Sequence, residues 1–159
     1  MEKTFSDSEL HDYGLNTIKY SQLKDFTPHQ LLKAMPLAIL YQVEEDYGHW
    51  TLLHRTVEGI EFFDPYSYMP DAEFKELEYK QPHYLAHLLK QFQDEGVTIN
   101  YNQYKFQRQG RGINTCGRWC IIKSLFDNMP IDLFARMINR ACEKLSCTPD
   151  ELSVIAFQR

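Results

Sequence analysis

Residues 109–120, QGRGINTCGRWC, join a glycine-bearing loop to an apolar run. Gly110 and Gly112 loosen the loop. From Trp119 the apolar positions Ile121, Ile122, Leu125, Phe126 and Met129 predict a buried helix ending near Pro130. Thr115 is placed to be its N-cap, which puts the Cys116 thiol at the first helical position. Unpaired backbone N–H groups and the helix dipole favour a negative charge there, and a thiolate is the nucleophilic form of cysteine. Gly117 costs about 1 kcal/mol of helix stability relative to Ala. The expectation is that it lets a substrate backbone approach the sulfur. The stretch is therefore expected to carry the nucleophile of a cysteine hydrolase.

Upstream, Val97 to Phe106 alternates as a strand that delivers the chain to Gln109. Before it, His83 to Gln93 has Tyr84, Leu85, Leu88, Leu89 and Phe92 spaced for one apolar helix face, and Gly96 stops it. Asp71 to Tyr79 is also expected to be helical. A hairpin pattern, GHWTLLHRTV then IEFFDPY, turns near Glu58-Gly59, and Leu37 to Val43 is a continuous apolar strand. Thr27-Pro28-His29-Gln30 opens a helix running to about Met35, and Ser6-Asp7-Ser8-Glu9 opens a shorter one. Downstream, Phe134 to Leu145 keeps helical spacing, and Thr148-Pro149-Asp150-Glu151 caps a last helix. Helix, strands, helices, strand, helices describes an α+β fold, a single domain over residues 1–159.

Composition narrows the class. Hydrophobic residues make up 43% and charged residues 25%, as in ordered globular proteins. A formal charge of −5 argues against non-specific nucleic-acid binding, which needs a positive field. No apolar run approaches the roughly 20 residues of a membrane span. The first residues lack the build of a signal peptide. The four cysteines are accordingly expected to be reduced thiols in an intracellular, non-secreted protein.

A thiolate nucleophile needs a base, and the base needs a group to orient it. His49, next to Gly48, is the candidate base, with access expected through the preceding loop. His54 falls on the opposite strand face. His83 and His87 lie one helical turn apart, but no carboxylate or cysteine nearby completes a metal site. A zinc site from Cys116, Cys120, Cys142 and Cys147 is set aside because the first pair lies in an apolar helix, and no metal is expected. If Thr56 to Gly59 form a four-residue loop, Arg55 faces Ile60 and Asp64 is the diagonal neighbour of His49. A two-residue Glu58-Gly59 turn instead faces Asp64 to Leu53. Both registers put Asp64 on the histidine's face and Glu61 on the other, which makes Asp64 the orienting carboxylate. An oxyanion needs donors. The Cys116 N–H is one, and Gln109, folding back across its loop, is the candidate for the second.

The ordered set Gly48-His49-Trp50, Phe62-Phe63-Asp64-Pro65, Gln109-Gly110 and Cys116-Gly117-Arg118-Trp119-Cys120 resembles the adenovirus maturation protease (adenain) family, in the same clan as the SUMO-specific proteases. The match spans about residues 48–120, and the Gln109-to-Cys116 spacing is that of adenain. The resemblance implies a papain-like arrangement: a central mixed sheet packed by helices, His49 as base, Asp64 as orienter, Gln109 in the oxyanion hole and Cys116 as nucleophile. It also implies cleavage after small residues such as Gly in viral or virus-like capsid precursors, by a chain packaged in the virion as well as present in the host cell. Related enzymes occur in virophages. The alternative is an isopeptidase acting on ubiquitin-like proteins. The acid is Asp where adenain has Glu, and the chain is shorter. The cysteine that adenain uses to bind an activating peptide falls near Thr98, so no disulfide-linked peptide cofactor is expected. A protein substrate is the expected partner, with no membrane, no nucleic acid and a monomeric state.

A non-enzymatic binding or scaffold domain, with Cys116 simply buried, is the contrasting expectation.

Overall fold

In a computed structural model the described residues are 4–44, 47–72, 82–110 and 113–158. The chain runs α1 (Asp7–Asp12), β1 (Asn16–Lys19), a 3-10 helix (Tyr20–Asp25), α2 (Pro28–Ala34), β2 (Leu37–Glu44), β3 (Tyr47–Arg55), β4 (Gly59–Phe63), α3 (Tyr84–Asp94), β5 (Thr98–Tyr101), α4 (Cys116–Leu125), α5 (Ile131–Leu145) and α6 (Pro149–Ile155). The fold is α+β, with one five-stranded mixed sheet in the order β1-β2-β3-β4-β5. The outer pairs β1–β2 and β4–β5 are parallel; the inner pairs are antiparallel.

Helices cover both faces, which explains why β2 reads as an unbroken apolar run. Leu37, Ile39, Tyr41, Leu53, Ile60 and Phe62 pack with α3 residues Leu85, Leu88, Leu89 and Phe92. Ala38, Trp50, Leu52 and Phe63 pack on the other side against Trp119, Cys120 and Ile121 of α4 and Phe134 of α5. The alternation of strand side chains assigns each residue to its layer.

The hairpin takes the four-residue register, with Arg55 opposite Ile60 and His54 opposite Glu61. Thr56 closes the turn: its amide bonds the Gly59 carbonyl at 2.9 Å and its hydroxyl accepts from the Gly59 amide at 3.1 Å. A side chain at Gly59 would place Cβ 2.3 Å from the Thr98 carbonyl oxygen, so β4 and β5 can meet only at a glycine. The three capping boxes at Ser6, Thr27 and Thr148 form as the sequence predicts.

Several boundaries differ from expectation. β5 ends at Tyr101 rather than near Phe106, because the Asn102 side chain binds the Tyr104 amide and carbonyl and folds the backbone into a turn. α4 stops at Leu125, and turns carry the chain on to Pro130. β1 and the 3-10 helix were not expected; four residues with exposed ends offer no alternation to read. The helix expected over Asp71 to Tyr79 falls mostly on residues 73–81, outside the described residues. No helix among the described residues is long and apolar enough to cross a membrane.

Candidate active site

α4 begins at Cys116 with Thr115 in the N-cap position, but Thr115 does not cap it. Its hydroxyl donates instead to Asp150 Oδ1 at 2.6 Å, and Asp150 Oδ2 accepts from the Arg108 amide at 3.0 Å. Asp150 is buried at the start of α6. A carboxylate thus takes the hydroxyl that would otherwise serve the helix, and clamps both ends of the loop carrying Gln109. The first-turn N–H groups of α4 are left without the threonine cap.

The Cys116 sulfur accepts from the Trp50 amide at 3.4 Å and lies close enough to the His49 imidazole for the two to interact. His49 Nε2 lies 2.7 Å from Asp64 Oδ1, which leaves Nδ1 for the sulfur. The same Asp64 oxygen accepts from the Tyr66 amide at 2.8 Å, and the Asp64 carbonyl accepts from Asn102 at 2.6 Å. Cys116, His49 and Asp64 are therefore brought together in the order thiol, imidazole, carboxylate. The β2–β3 ladder is irregular between Gln42 and Glu44, beside the Gly48–His49 segment. Irregularities of this kind re-aim side chains next to functional sites.

Burial alone would push the His49 imidazolium down. The Asp64 carboxylate, by charge and by hydrogen bond, and then Cys116 reverse this and hold it well above its ordinary value. Cys120 lies one helical turn further in; burial and the neighbouring Cys116 push its thiol well up, which keeps it protonated core.

Two expectations need correction. His49 is not open through the preceding loop: His49, Asp64 and Cys116 are each only 2–3% exposed. The Tyr66 ring stacks on the imidazole, with centroids 4.3 Å apart. Gly117 owes its place to the interior. A Cβ there would lie 3.0 Å from Phe5 Cβ and 3.4 Å from Trp50 Cδ1, so it serves helix-to-strand packing rather than substrate approach. Gln109 is exposed, and its amide donates to the Tyr68 hydroxyl, a bond it must leave to serve an oxyanion.

Pattern alone missed three residues that build the site. Asn102 fixes the backbone of Asp64. Gln107, buried, joins the Tyr66 hydroxyl at 3.2 Å to the Ile113 carbonyl at 3.1 Å. Asp150 was legible only as a first-turn acid of a capping box. A cleft of about 910 Å³, lined by Phe5, Ile18, Leu40, Gly48, Trp50 and Asn114, opens beside the His49–Trp50 segment. Trp50 itself turns into the core, with its indole N–H on the Phe5 carbonyl at 3.0 Å.

On the opposite face, His54 and Glu61 pair at 3.0 Å, and Lys123 Nζ lies 3.0 Å from the same Glu61 oxygen. This buried triad is separate from the Cys116 site. The His87 ring bonds Gln91 along its helix at 3.1 Å. Among the described residues no three His, Cys, Asp or Glu side chains gather as a metal-ligand set.

Over 145 residues the chain is 32% identical to "Uncharacterized protein V9" of Sputnik virophage, a match spanning 86% of this chain and 79% of that protein. The chain belongs to the V9 family. No protein-family model and no solved structure matches it. The virophage association stands on this kinship within the V9 family.

Proposed function

We propose that this V9-family chain is a cysteine endopeptidase of papain-like arrangement that cleaves virophage capsid precursors after small residues such as Gly. The observation that carries the proposal is a thiol at a helix start beside an imidazole whose Nε2 is 2.7 Å from a buried carboxylate. In this reaction the Cys116 thiolate attacks the peptide carbonyl, and the His49 imidazolium protonates the leaving amine. Asp64 holds the ring and its charge. The Cys116 N–H and Gln109, once released from Tyr68, receive the oxyanion. Water, deprotonated by His49, then resolves the thioester. The closed state of the site implies that substrate displaces the Tyr66–Tyr68 segment before Cys116 is acylated. The protein acts as a monomer in the infected cell and is carried in the virion.

The test is cleavage of a peptide carrying a Gly-Gly site by the wild-type chain and by Cys116→Ala and His49→Ala. Loss of turnover in both variants is expected. Equal turnover in Cys116→Ala and wild type overturns the mechanism. Release of a ubiquitin-like C-terminal reporter, with short peptides left uncut, moves the substrate class to ubiquitin-like proteins.

A further inference from the structure

α5 ends in a left-handed residue, Ser146, with φ 50°. The Cys147 amide bonds the Cys142 carbonyl at 3.0 Å, and the Ser146 amide bonds the Glu143 carbonyl at 3.3 Å. This pair of reversed bonds is a Schellman closure, which folds the residue after the left-handed position back onto the helix three places before its last residue. In such closures two apolar side chains frequently meet there. Here two thiols meet, within hydrogen-bonding reach of one another. The closure brings the two backbones near enough for the short Cα separation that a disulfide needs.

Both cysteines line an open pocket of about 410 Å³, together with Asn139, Glu143, Thr148 and Glu151. Cys147 is the more exposed of the two. Burial and the adjacent Cys147 push the Cys142 thiol up to about 11.

We propose that Cys142 and Cys147 form a redox modification site that reacts with low-molecular-weight disulfides. The Cys147 thiolate attacks one sulfur of the small disulfide; that S–S bond breaks and one thiolate leaves. The Cys142 thiolate then attacks the Cys147 sulfur of the mixed disulfide and expels the second. Two small thiols take up the two protons, the small disulfide is reduced by two electrons, and the protein gains one bond between α5 and the start of α6. Once Cys147 is bonded its thiolate no longer opposes ionisation of Cys142, which favours the second step. Glu143 and Glu151 line the pocket without a basic side chain among the lining residues, so a cationic disulfide is preferred to an anionic one. The site is independent of the proteolysis proposed above, and its test reads no catalysis.

The full-length chain is treated with cystamine or with oxidised glutathione, quenched in acid and blocked with N-ethylmaleimide. Lys144 lies between the two cysteines, so trypsin yields two peptides joined only by this bond. Loss of two of the four thiols, with Cys142 and Cys147 in the linked peptide, is expected. Cystamine is expected to react several-fold faster at low salt, with the difference shrinking as salt rises. In Cys142→Ser the mixed disulfide at Cys147 persists, and in Cys147→Ser Cys142 stays unmodified over the same exposure. First linkage of any other pair overturns the proposal, as does a mixed disulfide at Cys147 that the wild-type chain fails to resolve.

Discussion

Changing Asp64 to Asn isolates the charge that sets the protonation of His49. One carboxylate oxygen, Oδ1, accepts from both His49 Nε2 at 2.7 Å and the Tyr66 amide at 2.8 Å. An asparagine oxygen can accept the same two bonds, so shape and hydrogen-bond count are kept while the charge is lost. Hydrogen bonds to charged groups contribute about 1.5–3 kcal/mol and neutral ones about 0.5–1.5 kcal/mol. The difference of about 1–1.5 kcal/mol corresponds to about one pKa unit. That is a lower bound, because burial at 2% exposure leaves little solvent to screen the Coulomb attraction. The His49 titration is therefore expected to fall by at least about one unit, read from the imidazole Cε1–H resonance against pH. Stability follows with a definite sign. A histidine raised in the folded state contributes stability that is fully present below its unfolded value of about 6.5 and lost as pH rises through its folded value. In Asp64→Asn the upper edge of that window moves down, so the urea midpoint begins to drop at lower pH than in wild type. A His49 resonance titrating at the same pH in both proteins refutes the account.

Gly117→Ala gains about 1 kcal/mol of helix propensity but pushes a methyl to 3.0 Å from Phe5 Cβ. Overpacking of about 1–3 kcal/mol outweighs the gain because Phe5 is held by Trp50 and Arg118, and Tm falls; a raised Tm refutes it. Lys123→Met leaves Glu61 with His54 alone in a buried site and is expected to cost about 3–5 kcal/mol in urea unfolding at pH 7. Burial pushes the Glu61 carboxyl up, but His54 and Lys123 more than reverse it and hold it below its ordinary value. Its contribution is present above the unfolded value of about 4.3 and lost as pH falls through the folded value. The penalty in Lys123→Met should therefore shrink in acid, and one that is constant with pH rejects the pairing. Asp150→Asn weakens the clamp on Thr115 and Arg108, and about 1–2 kcal/mol of stability should be lost. Peptide turnover by the variant should fall through kcat, with KM little changed; a change confined to KM rejects a role in placing Cys116.

Short-range periodicity determined much of this protein. Alternation along β3 put His49 and His54 on opposite faces, and hairpin arithmetic put Asp64 with the first and Glu61 with the second; the structure pairs them so. The apolar run after Thr115 located the helix that opens at Cys116, and three capping boxes located helix starts, because each is a contact between residues three apart. Tertiary structure alone decided what lies over and behind the site. Tyr66 covers His49 because the Asp64–Tyr66 turn folds its ring back, and Asp150 takes the Thr115 hydroxyl across 35 positions of sequence. Lys123 looks like a solvent-facing residue on an apolar helix, yet is fully buried against Glu61 and the Phe134 ring. The physical reason is range: helical and strand periods report which face a side chain takes, whereas burial and a hydrogen-bond partner depend on which distant segment comes to rest there.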